Sequence, residues 1–330
     1  MSSKRQLNIT FSIARVFAVL SIVAAHVSIN GPEFITNMIR AVSSIGVTVF
    51  IILSGYFYRT QKYNSVFELL KDKFKTIIIP WLVMGTFTYV YYAVVSGGFS
   101  VSKWILWLLG YKTFLYYLPM LMLCYIIFYK RNKITLYGAI LITVISVYCT
   151  AFGFLDGTID ALHITNYLNV FNWVGYFAIG CLLQQLDPAE IYDFFKNNRV
   201  IILVTFLVCY VLVCVFGINT GYFSFAGMPF NVLGASTVAG ISTVSWLDKK
   251  LLHNISNMTF GVYLIHMPII GILDTVYNIN VITQLLAPLI VTATSLVILY
   301  IGYLVAKVIH IDNLYSAVTG IRLSRNIKEK

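Results

Sequence analysis

The chain has 330 residues, of which 59% are hydrophobic and only 11% charged, and its mean hydropathy is +0.84. A water-soluble protein of that size has no interior large enough for so much apolar surface, whereas lipid solvates it directly, so a soluble globular class is excluded. The net charge of +11 is spread as short clusters between apolar stretches rather than gathered on one face. That pattern speaks against nucleic acid as a partner and for a chain threaded repeatedly through a bilayer.

A spanning helix needs about 20 mostly apolar residues. Ten candidate stretches occur, near 9–29, 41–58, 76–96, 113–129, 134–152, 170–186, 199–217, 229–246, 257–277 and 284–309. Of the 23 Lys and Arg, an inside N-terminus leaves Arg40, Lys103 and Lys112 outside and Arg15 within a helix; the remaining 19 fall in cytoplasmic segments. This is the asymmetry of the positive-inside rule. The expectation is an all-α, polytopic membrane protein with about ten transmembrane helices, both termini cytoplasmic, forming a single domain over 1–330 with no separate soluble domain. The first apolar segment has no convincing small-residue cleavage site and holds an Arg in its core, so no cleavable signal peptide is expected.

The first stretch contains "ARVFAVLSIVAAHVS" (14–28), with Arg15 and His26 inside an otherwise apolar helix. Eleven positions at about 100° each return to nearly the same face, and the helical rise separates the two side chains by about 16 Å. Val19 and Ile22 lie between them on that face. A cation, an apolar strip and a titratable base suit a ligand with an anionic head and a long thin arm, such as coenzyme A. Arginine grips phosphate in a fork, and histidine is a near-neutral general base. The spacing is equally compatible with an Arg and a His each reaching to its own headgroup layer.

The second stretch, "GVTVFIILSGYFYR" (46–59), offers Gly46, Ser54 and Gly55 as small surfaces for close packing against the first helix. "RTQKYNSVFELLKDKFK" (59–75) reads as a basic amphipathic surface helix. Lys73 and Lys75 in "KFKTIIIPW" (73–81) can bind nucleotide phosphates or anionic lipid headgroups. The five cysteines lie in apolar runs without metal spacing and read as buried thiols. In the eighth stretch, Ala235/Ala239 and Ser236/Gly240 form small-residue faces for tight packing.

The ninth stretch, "ISNMTFGVYLIHMP" (255–268), holds Ser256, Tyr263 and His266, with Pro268 expected to free a carbonyl and kink the helix. His266 is either a second acid/base group or an interior His bonded to a neighbouring span. Glu33, Asp156, Asp160 and His163 fall in outer loops, where they are solvated or touch a sugar. No Gly-rich phosphate loop, zinc-ligand cluster or nucleophile elbow occurs, so no metal is expected.

Taken in order, the Arg–ten residues–His helix, the Ser-Gly-Tyr second helix, the basic stretch ending in Pro80, and the late Tyr263–His266–Pro268 helix resemble acyltransferase family 3, the integral-membrane O-acyltransferases of cell-surface glycans. One departure is "FLYYLPMLML" (114–123), where the family commonly has a His-Leu-Trp-Phe run. The resemblance implies transfer of an acyl group, usually acetyl, from cytoplasmic acetyl-CoA to a hydroxyl of an extracytoplasmic or lipid-linked glycan. It implies His26 and Arg15 as catalytic residues, with His266, Tyr263 and Ser256 supporting. Donor phosphates would lie near Arg15, Lys73 and Lys75. The expected setting is a bacterial cytoplasmic membrane, with a glycan or lipid-linked sugar acceptor, membrane lipid and polysaccharide-assembly proteins as partners. A transporter or flippase of a polysaccharide intermediate, and the same fold transferring succinyl, are the rival readings.

Overall fold

The computed structural model describes residues 3–27, 33–157, 164–244, 249–276 and 281–323, and all regular structure among them is helical. The first stretch forms α1 (Ser3–His26). The second divides into α2 (Glu33–Ser43) and α3 (Ile45–Tyr56), which together make one span, Glu33–Tyr56. Backbone interrupted at membrane depth needs hydrogen-bond partners, and α1 supplies them. Ser21 Oγ donates to Val42 O at 2.6 Å and accepts from the Gly46 N–H at 2.9 Å. Ser44, in the break itself, donates to Asn231 Oδ1 at 2.6 Å.

The basic segment and the third stretch are not separate elements. α4 (Val66–Lys73) and α5 (Ile79–Val95) run together through a π-helical turn at Phe74–Ile78, giving the 30-residue helical run Val66–Val95. No helix breaker stands between them, and the widened turn lies just ahead of Pro80, which has no N–H to give it. A short helix, α6 (Val101–Leu108), follows. Then come α7 (Tyr117–Ile127), entered by a 3₁₀ turn at Phe114–Tyr116, and α8 (Lys133–Ala151), which starts at a capping box between Asn132 and Thr135.

The remaining helices are α9 (Val174–Leu183), α10 (Pro188–Phe216), α11 (Gly227–Ile241), α12 (Lys249–Ser256), α13 (Thr259–Val276), α14 (Val281–Val308) and α15 (Asp312–Thr319). Every one of the ten predicted stretches therefore contains helix. Among the described residues, however, six helices are long and apolar enough to cross a membrane, or seven if the bent α12–α13 pair is one span. α9 has ten residues, a rise of about 15 Å, half the hydrocarbon thickness. It is held by protein instead of lipid, lying against α3 and α8, with Tyr176, Phe177, Ala178 and Cys181 no more than 1% exposed.

Asn172, just before α9, is buried and productive. Ser146 of α8 donates to its Oδ1 at 2.7 Å, while its Nδ2 donates to Asn166 O at 3.0 Å. Thr143 accepts from Gly175 N–H and donates to Phe171 O, both at 2.7 Å. These bonds satisfy the backbone freed where the helix begins.

Glycines set the backbone contacts. A Cβ on Gly46 would lie 2.4 Å from Ala18 O, so α3 does pack on α1 as its sequence predicts. Gly55 faces elsewhere: a Cβ there would meet Phe177 O at 2.1 Å, and one on Gly180 would meet Ile52 O at 1.9 Å. α3 and α9 thus touch backbone to backbone. α11 approaches Ile45 through Gly234 and Arg199 of α10 through Gly240. α1 is the hub, in contact with α2, α3, α10, α11, α12, α13 and α14. Of the free cysteines, Cys124, Cys181 and Cys214 are buried and Cys149 and Cys209 partly so.

Candidate active site

The α1 face that carries Arg15 and His26 opens onto two adjoining cavities. His26 lines one of about 800 Å³, walled by Ala25, Val47, Trp107, Phe114, Tyr116, Tyr167, Tyr222 and Phe223 among others. Arg15 lines the second, of about 190 Å³, together with Phe57, Lys73, Tyr117, Tyr125, Tyr263 and Arg322. Ile22, between Arg15 and His26 on the same helix face, is the residue that both cavities share as wall. A third cavity of about 390 Å³ continues from the Arg15 side past Lys73, Thr76, Gly320 and Arg322 to Lys62 and Lys75.

Arg15 makes no salt bridge among the described residues. Its guanidinium stands 4.5 Å from the centre of the Phe57 ring, held by a cation–π contact rather than a carboxylate. Lys73 is placed similarly, 4.0 Å from the centre of the Tyr125 ring and 3.9 Å from Asp72. Asp72 is already engaged by Lys62 at 2.8 Å and by the Tyr63 hydroxyl at 2.6 Å. The cavity therefore keeps a surplus of positive charge with open donors, which is the electrostatic requirement for an anionic ligand.

His26 and His266 come from different helices and meet here. Their ring centres are 5.2 Å apart, and the Phe114 ring lies 6.2 Å from one and 5.1 Å from the other. His266 is fully buried. Its Nδ1 donates to Tyr263 O at 2.7 Å, one turn earlier on its own helix, and not to a neighbouring span as one sequence reading had it. Nε2 then carries the lone pair in the neutral ring, and among the described residues it has no hydrogen-bond partner.

Tyr263 and Ser256 both line the Arg15 cavity with their hydroxyls committed: Tyr263 donates to Phe114 O at 2.5 Å and Ser256 to His253 O at 2.7 Å. Lys75 reaches only the third cavity, apart from Arg15. The helix bends by 66° between α12 and α13, around Asn257–Met258, and Pro268 lies inside the unbroken helical run of α13. The Leu264 carbonyl, four residues before Pro268 and without an N–H there to accept from, accepts from Thr88 Oγ1 at 3.3 Å instead. Glu33 and Asp156 are exposed and line neither cavity. Asp160 and His163 lie outside the described residues.

Sequence reading missed Phe114, Trp107 and Arg322. Phe114 stood in the stretch that departs from the family pattern, and that departure was the available signal. Arg322 lies 307 positions from Arg15, and no spacing rule connects them.

Residues 8–307 match the family described as "Acyltransferase domain", acyltransferase family 3, and the chain belongs to that family. With its apolar helices, it is a multi-pass membrane protein. It is similar to the proteins named "Probable poly-beta-1,6-N-acetyl-D-glucosamine export protein" from Staphylococcus aureus strains MSSA476, MW2 and N315. Each is 25% identical over 277 residues, covering 77% of this chain and 77% of the relative. No solved structure matches the chain at a comparable level.

Proposed function

We propose that the protein is an O-acyltransferase of the bacterial cytoplasmic membrane, moving an acyl group, acetyl in the simplest case, from cytoplasmic acyl-CoA to a hydroxyl of an extracytoplasmic or lipid-linked cell-surface glycan. One observation carries the reading. A single helix face presents Arg15 to a cation-rich cavity and His26 to an aromatic-walled one, with Ile22 between. The donor's phosphates bind beside Arg15 and Lys73, with Lys75 at the entrance. The pantetheine arm extends past Ile22 over the roughly 16 Å that the helix rise sets. The acceptor sugar occupies the His26 cavity, where Trp107, Tyr167 and Tyr222 offer flat apolar faces and polar edges.

His26 takes the proton from the acceptor hydroxyl as its oxygen bonds to the thioester carbonyl carbon. The C–S bond then breaks, and the proton passes from His26 to the departing CoA sulfur. His266, whose Nε2 beside the His26 ring has no partner among the described residues, would accept an N–H from His26 once the two rings close on bound substrate, and so fix the tautomer in which the other nitrogen is the base. Tyr263 and Ser256 shape the walls through their bonded hydroxyls. Removing the reaction from bulk water limits hydrolysis of the thioester.

In this reading residues 1–330 are one domain, the chain crosses ten times with its short helices shielded by protein, and both termini are cytoplasmic. Polysaccharide-assembly proteins are its natural partners. The test is acceptor-dependent release of free CoA by the purified protein. His26→Ala lowers that rate at least about 100-fold while the protein still accumulates in the membrane; wild-type rates from the variant remove His26 from the mechanism.

The name of the Staphylococcus aureus relatives favours a second reading, export of a glycan. There Arg15, His26 and His266 line a pathway and no donor is consumed. Glycan movement by wild-type protein without loss of acetyl-CoA would establish export over transfer, and a succinyl donor would be recognised by its own turnover in the same assay.

A further inference from the structure

Beyond α15 the chain does not simply leave the membrane. Gly320 takes a left-handed conformation (φ 74°) and ends the helix. The next two residues turn back into the bundle. Ile321 is 2% exposed, and the Arg322 N–H donates to Asn257 O at 3.0 Å, at the bend between α12 and α13. Space for this return exists because position 261 is glycine: a Cβ there would lie 2.9 Å from Ile321 Cγ2 and 3.1 Å from Thr319 O.

The return carries a charge with it. Arg322 lines both the Arg15 cavity and the cavity that continues from it, and its guanidinium acts repulsively on Arg15 and on Lys73. Three cations from three distant parts of the chain thus converge, and the one carboxylate lining the continuing cavity among the described residues, Asp72, is shared between Lys62, Tyr63 and, at 3.9 Å, Lys73, so it leaves the cations in surplus. Folding three like charges around one space is unfavourable unless an anion occupies it.

We propose that the segment Thr319–Leu323 is a wedge that completes a polyphosphate-binding site, with Arg322 as a cation for the donor's phosphates beside Arg15 and Lys73. The position lies beyond residues 8–307 that match the family, so the family pattern does not supply it. The choice of a CoA-type ligand rests on the transferase reading above; the anion site itself rests on the geometry. Anionic lipid headgroups share the chemistry and must be separated by experiment.

The full-length protein in nanodiscs of zwitterionic lipid is titrated with adenosine 3′,5′-bisphosphate, which has the phosphates but no thioester. Arg322→Ala weakens binding about tenfold, Arg322→Lys recovers part of the loss, and the acetyl-CoA KM rises in parallel with kcat held. Ile321 stays in place in both variants, and unchanged thermal unfolding of Arg322→Lys separates loss of the cation from loss of the fold. Wild-type affinity in both variants overturns the proposal. So does a wild-type site that takes the nucleotide only when anionic lipid is withheld, which would make it a headgroup site. A protein that binds the nucleotide through Arg322 yet transfers no acyl group leaves this inference standing and sinks the transferase reading.

Discussion

The imidazoles of His26 and His266 lie with ring centres 5.2 Å apart, and the buried member of the pair holds its Nδ1 proton on Tyr263 O while its Nε2 faces no partner among the described residues. In the proposed transfer the two rings divide the labour: His266, fixed in tautomer by its own helix, positions His26, which exchanges the proton with substrate. His266→Ala is therefore expected to lower kcat about 10- to 100-fold while leaving the donor KM unchanged. His266→Gln, which keeps an acceptor near the same place, recovers part of the rate. Steady-state kinetics on both variants checks this, and a shift confined to KM would assign His266 to binding.

The cation-lined cavity predicts salt-dependent donor binding. Raising ionic strength from about 0.05 to 0.5 M shortens the screening length severalfold, so the KM for acyl-CoA rises with salt while kcat changes little. Inorganic pyrophosphate, by relieving repulsion among Arg15, Lys73 and Arg322, raises the unfolding temperature of the purified protein. A salt-independent KM would show that these charges do not meet the donor.

Arg15→Lys is not a conservative change. The guanidinium stacks 4.5 Å from the Phe57 ring centre, and an ammonium has neither the flat face nor the fork. An increase of about tenfold in donor KM is expected, measured by isothermal titration as well as kinetics.

Trp107 lines the His26 cavity and touches Phe114 at 6.1 Å between ring centres. Trp107→Ala removes a flat wall from the side proposed for the acceptor, so on that reading the acceptor KM rises about two- to tenfold while the donor KM stays as it is. Equal shifts in both would point to collapse of the cavity instead.

Gly180→Ala should destabilise the fold by about 1–3 kcal/mol, because the new methyl would stand 1.9 Å from Ile52 O and must push α3 and α9 apart. Gly138→Ala, on α8 with nothing within 4 Å of its Cβ position, is the neutral control. Thermal unfolding in one detergent compares the two directly.

What the sequence reveals depends on the range of the interaction. The pairing of Arg15 with His26 was legible because an α-helix has a fixed period and a spanning helix a fixed length. Helix existence was legible in all ten stretches for the same reason. Span length was not: α9 is tolerated at ten residues because Thr143, Ser146 and Asn172 close its backbone from neighbouring helices, and such partners leave no periodic trace. The break at Ser44 was invisible for the same reason, since Ser21 repairs it from 23 positions away. The carbonyl that Pro268 frees was legible, and Thr88 is what bonds it, but the 66° bend at Asn257–Met258 had no proline to announce it. The convergence of Arg322 on Arg15 needed the folded chain.

The shared position of Ile22 has a consequence for the cell's energetics. A polar passage open from one side of a bilayer to the other would leak protons and dissipate the membrane potential. Here an aliphatic side chain that is 4% exposed stands between a charged chamber and an aromatic one. On the transferase reading, such an aliphatic constriction would bar hydrated ions while letting a slim acyl thioester through.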